Sequence, residues 1–205
     1  ACLAPGGTCW GTSMSAPAVC AAIGLMLSVN PCLSNIEIEN ILKATACPMV
    51  DNPIPNWTGA GYMNLYQAVS FAKGLSGSIT VSDNWDDDTY INGDIIIETG
   101  VTLNINKTVK FAKGSRMIIK PGAIVHLYGK MTNWCDDPWE GVEVWGEAQV
   151  SQFTAGHHGK LHLHANAIIE NANTAVKLSG AGAGNSGGIL YATSADFINN
   201  RVSVE

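Results

Sequence analysis

The first third of the chain has the hydrophobic spacing of helices, and one helix is apolar on nearly every face. Residues 17–29 contain no charged side chain, which predicts a helix buried at the centre of a domain. Pro17 suits the first turn of that helix, and Asn30-Pro31 ends it. Residues 1–76 supply too little surface to enclose such a helix, so we expect further cover from chain that precedes Ala1.

Two shorter amphipathic helices follow. Ser34 and Glu37 form a capping box, in which each side chain bonds the backbone of the other, and they open a helix that runs to Thr45. A third helix is predicted over Leu65–Lys73, with Asn64 as its N-cap and Gly74 as its stop.

The rest of the chain alternates apolar and polar residues in short runs, which is the pattern of strands. Gly-containing turns separate the runs, which recur about every eight residues. The predicted strands include 94–98, 101–105, 108–111, 117–120 and 123–127. Residues 167–171 are echoed by residues 196–200, and each copy lies between two further apolar strands. This repeat favours a solenoid with three short strands per coil over a sandwich.

The composition changes at a Gly/Ser-rich joint over residues 73–78, which predicts two domains, 1–76 and 77–205. Five of the six cysteines precede residue 77, and all five histidines follow it.

Composition and charge exclude several classes of protein. The chain is 46% apolar and 14% charged, which argues against intrinsic disorder. Its net charge of −6, without a basic patch, argues against a nucleic-acid partner. No apolar run is long enough to predict a membrane span. The sequence starts without Met and ends on an alternating run over residues 202–205, so we expect it to be part of a longer protein.

The segment Gly11–Pro17 carries the clearest chemistry, because it places a serine just ahead of the apolar helix. Gly11 allows the backbone to approach a substrate closely. Ser13 would lie at the positive end of the helix dipole, near backbone N–H groups that can stabilise an oxyanion. Met14 and Pro17 would hold the turn from behind. By position alone, an ordinary N-cap serine is the simpler interpretation.

This segment resembles the nucleophile signature of the subtilases, the subtilisin-like serine proteases. Residues 4–6, the capped helix and residues 59–69 follow in the order of that family. The resemblance covers about residues 4–73 and implies the C-terminal helical segment of an incomplete α/β subtilisin-like domain. It implies that Ser13 is the nucleophile and that its own backbone N–H contributes to the oxyanion hole. The supporting residues of the motif would be Gly11, Thr12, Met14 and Pro17.

The resemblance also implies that the triad is incomplete in this chain. A serine needs a base, and subtilases order their triad Asp, His, Ser. Residues 1–12 contain neither Asp nor His, so we expect this chain to be inactive alone and its parent to hydrolyse protein or peptide substrates. Residues 7–10 are a shorter stretch than the family usually has, and Ala18 stands where the family often has His.

Residues 78–150 resemble the right-handed parallel β-helix modules of secreted bacterial proteins. The resemblance is carried by residues 91–95, 99–105, 118–123 and 139–144. It implies secretion or cell-surface display and adhesion. Trp134, Trp139 and Trp145 lie among carboxylates, which suits contact with polysaccharide. The alternative function is therefore a carbohydrate-binding or adhesive cell-surface protein whose protease part is vestigial.

His162 and His164 alternate with leucines and so share the outward face of a strand. With His157 or His158 nearby, a zinc site is conceivable, but no carboxylate or cysteine completes the ligand set. A solvated face is the favoured interpretation, and the sequence predicts no metal.

Two further motifs carry weaker signals. The acidic turn Asp83–Asp88 has oxygen ligands for calcium without the spacing of a calcium loop, so a solvated cap is favoured and no calcium site can be located. Residues 184–188 resemble the nucleophile loop of chymotrypsin-like proteases, but lie in a Gly/Ala loop without that scaffold. No cofactor is predicted.

Cysteine pairing stays open at this stage. In a secreted protein the neighbours along the chain, Cys2 with Cys9 and Cys32 with Cys47, are the candidate disulfides. Cys20 lies in the apolar helix and is predicted to be a buried free thiol.

Overall fold

The computed structural model describes residues 12–48, 59–180, 182 and 184–205. The chain divides into two compact units, Ala1–Lys73 and Gly74–Glu205. The three helices belong to the first unit and the strands to the second. None of the helices in the described ranges is both long enough and apolar enough to cross a membrane.

The first unit contains helices α1 (Thr12–Val29), α2 (Asn35–Ala44) and α3 (Leu65–Lys73). The capping box of α2 is confirmed: the Glu37 amide donates to Ser34 Oγ over 3.3 Å, and the Ser34 amide donates to Glu37 Oε2 over 2.8 Å. The start of α3 is also confirmed, because the Gln67 amide donates to Asn64 Oδ1 over 3.1 Å.

Helix α1 begins earlier than predicted. It starts at Thr12, so Pro17 lies inside the helix and not in its first turn. Within the described residues α1 is covered only in part, as the short length of this unit predicts: Ala22 and Met26 are fully buried, whereas Leu25 is 48% exposed. Helix α3 packs against α1 and supplies part of this cover.

The second unit contains fifteen strands among its described residues. They are β1 (Leu75–Ile79), β2 (Asp83–Trp85), β3 (Thr89–Ile97), β4 (Thr102–Ile105), β5 (Thr108–Phe111), β6 (Arg116–Ile119), β7 (Ile124–Leu127), β8 (Lys130–Asn133), β9 (Trp139–Val144), β10 (Lys160–Leu163), β11 (Ile168–Glu170), β12 (Ala172–Lys177), β13 (Ile189–Ala192), β14 (Asp196–Ile198) and β15 (Val202–Val204).

The strands pair in parallel and form three stacks, because each strand from β4 to β12 pairs with the strand third along the chain. The stacks run β2-β4-β7-β10-β13, β3-β5-β8-β11-β14 and β3-β6-β9-β12-β15, and β1 also pairs with β3. Strand β3 serves two stacks, with Thr89–Ile91 paired to β5 and Ile95–Ile97 paired to β6. The two segments of the predicted echo pair in one of these stacks, but one residue out of the predicted alignment: Ile168, not Ala167, lies opposite Asp196.

The core lies inside the coils, where alternate residues of strands β4, β5, β7 and β10 point inwards. Equivalent positions of successive coils meet, as in the buried column Leu103, Val125, Leu161. Complete burial of such a side chain contributes about 1.5–3 kcal/mol. The core therefore grows by one layer of aliphatic side chains with each coil.

Charged side chains form ladders on the outward faces. Lys130 Nζ and Thr132 Oγ1 donate to Glu170 Oε1 over 2.8 and 2.9 Å. Burial would raise the pKa of Glu170, but the hydrogen bonds from Lys130 and Thr132 outweigh it and hold this pKa below its usual range. The hydrogen bond from Lys120 likewise lowers the pKa of Glu98.

The close packing of coils predicts that Gly141 cannot be replaced. Its φ is 106°, and an added Cβ would overlap the carbonyl oxygen of Thr174 in the next coil. Gly77 has a nearly equal φ of 104° with nothing within 4 Å of an added Cβ, so it is a matched control. Both alanine variants carry the strain of positive φ, and Gly141→Ala adds an overlap of about 1–3 kcal/mol. Thermal unfolding followed by circular dichroism should show the larger fall in Tm for Gly141→Ala; equal falls would contradict this account of the packing.

The carboxylate ladders predict a loss of stability in acid. A lowered folded-state pKa stabilises the fold above about pH 4.3, and this contribution disappears as the pH falls through the lowered value. Glu170→Gln should therefore flatten the dependence of Tm on pH between 5 and 3. Lys130→Met should flatten it similarly, and the double variant should add little further, because both residues belong to one interaction. An unchanged pH profile in both single variants would contradict the prediction.

Candidate active site

Ser13 is the second residue of α1, and its side chain is exposed. The first N–H groups of a helix have no acceptor within the helix, and they carry the positive end of its dipole. The backbone N–H of Ser13 is one of these donors. The hydroxyl and a backbone donor therefore belong to the same residue at the start of an 18-residue helix.

Pro17 changes the hydrogen bonding of this first turn. In an α-helix the N–H of each residue donates to the carbonyl four residues earlier, and proline has no N–H. The carbonyl oxygen of Ser13 consequently receives no helical bond from Pro17. The N–H and the carbonyl of Ser13 therefore both lack the regular bond to the residue four positions away within α1.

The other residues of the predicted site are only partly described. Gly11 and residues 4–6 lie outside the described residues. Thr12 and Met14 lie in the first turn of α1, and Pro17 is exposed in its second turn. Residues 1–73 contain no histidine, so the unit that carries Ser13 has no imidazole of its own.

The predicted acidic turn over residues 83–88 is half strand, because residues 83–85 form β2 and residues 86–88 connect it to β3. Its carboxylates accept hydrogen bonds from the neighbouring coil. Asp86 Oδ1 accepts from Asn106 Nδ2 over 2.6 Å, and Asp88 Oδ1 accepts from the Thr108 amide over 3.1 Å. Across the described residues, no group of three or more His, Cys, Asp or Glu side chains is placed to hold a metal ion. These contacts support the interpretation of residues 83–88 as a cap.

Trp139 fills the inside of a coil, which is the simpler interpretation of a tryptophan in this part of the chain. Its side chain is fully buried and stacks on Phe111, with 4.1 Å between the ring centroids. Its indole N–H donates to the Glu170 carbonyl over 2.9 Å. Trp139 is therefore not placed to contact a sugar. Trp145 is half-buried and donates to Glu143 Oε2 over 2.9 Å.

A polar groove of about 370 Å³ was not predicted from the sequence. It is lined by Asp136, Pro138, Asn171, Ala172, Asn173, Asn199, Asn200 and Arg201. Asn171 and Asn199 have φ of 59° and 52°, and the Asn199 side chain donates to Asn171 Oδ1 over 2.7 Å. The recurrence of asparagine at equivalent turns of the repeat is the signal that could have located this groove.

The cysteines correct two predictions. Cys47 is free, so it does not pair with Cys32, which is in a disulfide, as is Cys135. Cys20 is free as predicted but exposed, since the side of α1 that carries it is not covered within the described residues. Cys2 and Cys9 lie outside the described residues.

Comparison with known proteins places the resemblance in the first part of the chain. Residues 5–82 match the Peptidase S8 (Subtilase family) profile. Over 64 residues the chain is 42% identical to bacillopeptidase F from Bacillus subtilis (strain 168), an alignment that covers 29% of this chain and 4% of that protein. No solved structure matches the chain at a significant level. At the level of the family, residues 5–82 are therefore similar to the subtilases, which are serine peptidases.

Proposed function

We propose that Ser13 is the nucleophile of a serine endopeptidase of the subtilase kind. The observation that carries the proposal is the exposed Ser13 hydroxyl at the start of α1, within the segment that matches the family. The Ser13 oxygen attacks the carbonyl carbon of a peptide bond while a base takes its proton. The amine then leaves with a proton from that base, and water hydrolyses the acyl-enzyme.

The backbone of the same residue supports this chemistry. The oxygen of the tetrahedral intermediate becomes negatively charged, and the backbone N–H of Ser13 can donate to it. The family resemblance assigns the supporting roles of the motif to Gly11, Thr12, Met14 and Pro17. The base and its orienting acid come from chain outside this sequence, as the order Asp, His, Ser implies, so the 205-residue chain is inactive alone.

We further propose that the second unit is a right-handed parallel β-helix and that the parent protein is secreted or displayed at the cell surface. The three parallel stacks support the first statement. The disulfides at Cys32 and Cys135 support the second, because disulfides persist in oxidising compartments.

Labelling with a fluorophosphonate probe tests the assignment of Ser13. In the longest natural protein that contains this sequence, Ser13→Ala should abolish labelling. Ser15→Ala is the matched control, because Ser15 is exposed two residues further along the same helix. Labelling that persists in Ser13→Ala would disprove the nucleophile, and an unlabelled parent with intact fold would favour a vestigial protease.

A second candidate function, contact with polysaccharide, is favoured by the polar groove of the second unit. Amide, carboxylate and guanidinium groups line it, and these groups hydrogen-bond sugar hydroxyls. Electrophoresis of the 205-residue chain in gels containing a neutral or acidic polysaccharide should show retardation. Arg201→Ala should reduce it several-fold, and Lys107→Ala, an exposed cation outside the groove, should not. Equal retardation of the two variants would exclude the groove.

A further inference from the structure

Three histidines and two tyrosines form a stacked array on the outward face of the stack that contains β7, β10 and β13. His126 on β7 lies directly opposite His162 on β10, which lies opposite Tyr191 on β13. His164 follows β10 and stacks on Tyr128 with 4.0 Å between ring centroids and 11° between ring planes. The side chains of all three histidines are half-buried.

Two ring nitrogens of this array point at each other across the coils. His126 Nδ1 and His164 Nε2 are 3.0 Å apart. Two imidazole nitrogens bound to one metal ion at about 2.0–2.1 Å each lie about 2.8–3.0 Å apart in square-planar geometry and about 3.3–3.4 Å apart in tetrahedral geometry. The observed separation therefore fits a square-planar pair.

The surrounding rings fix both imidazoles. His162 stacks on His126 with 4.7 Å between centroids, and Tyr128 covers one face of His164.

We propose that His126 and His164 chelate a divalent transition-metal ion, with water in the remaining coordination positions. Within the described residues no third His, Cys, Asp or Glu converges with this pair, so the site has two protein ligands. Imidazole suits Cu²⁺, Ni²⁺ and Zn²⁺, and the order of affinity should be Cu²⁺ above Ni²⁺ and Zn²⁺. Binding releases the proton of this hydrogen bond to water, and the ion, which lies off the line between the two nitrogens, joins the coil of β7 to the coil of β10.

Titration of the 205-residue chain with NiCl₂ at pH 7.5 tests the site, with calorimetry and Tm as separate readouts. We expect one bound ion and a higher Tm in the presence of metal. His126→Gln and His164→Gln should each weaken binding at least about tenfold, the effect typical of an altered metal site. His157→Gln is the control, because His157 pairs with Glu147 in another loop at 2.8 Å.

His162→Phe separates chelation from stacking. It keeps an aromatic ring on His126 but removes the third imidazole, so affinity should stay within about threefold and the Tm rise should remain. A tenfold loss would instead show that His162 is a ligand and overturn the two-ligand site. Affinity equal to wild type in His126→Gln and His164→Gln, or loss in His157→Gln alone, would overturn the proposal altogether.

Copper gives an independent signature. In a Cys20→Ser, Cys47→Ser background, which removes the free thiols found among the described residues, electron paramagnetic resonance should show two coupled nitrogens on the bound Cu²⁺. His164→Gln should reduce the coupling to one nitrogen. A spectrum that is the same in both proteins would contradict the assignment.

Discussion

The parallel hydrogen bonding between strands three apart in the chain determines nearly everything else in the second unit. Because pairing is parallel and in register, a residue in one coil lies over the equivalent residue in the next. Inward columns must then be apolar throughout, as Leu103, Val125 and Leu161 are. In an outward column, similar polar side chains can lie directly over one another. Asn84 and Asn104 are such a pair, and the Asn104 side-chain amide donates to Asn84 Oδ1 over 2.7 Å.

The outward columns explain why chemistry gathers on these faces. When coils stack, an outward side chain lies next to the equivalent side chains of the coil before it and the coil after it, at the distance set by the strand spacing. Glu170 gains a lysine from the coil before it, and His126 gains a second imidazole from the coil after it. In the second unit, the pairing register between strands that are distant in sequence brings such side chains together. In the first unit, Ser13 supplies both its hydroxyl and its backbone N–H from a single helical turn.

This difference decides how much the sequence could predict. The capping box at Ser34 and the strands with strict alternation are local patterns, and the structure confirms them. The contact of His126 with His164 depends on which coil follows which, and no single-segment pattern contains that information. The start of α1 was missed because Pro17 fits a first turn equally well; the structure shows the helix extending to Thr12. The nucleophile itself came from the resemblance of residues 11–17, since position alone also fits an N-cap.

The direction of the hydrogen bonds gives the second unit a mechanical property. The hydrogen bonds of all three stacks run from coil to coil, and strand β3 belongs to two of the stacks. Tension along that direction can open an end coil without breaking the next interface, so the coils would peel apart in sequence from an end. Force applied along the strands shears several bonds together and meets far more resistance. The second unit should therefore be stiff along its strands and yielding along its stacking direction, and the point at which a load enters the chain decides which behaviour appears.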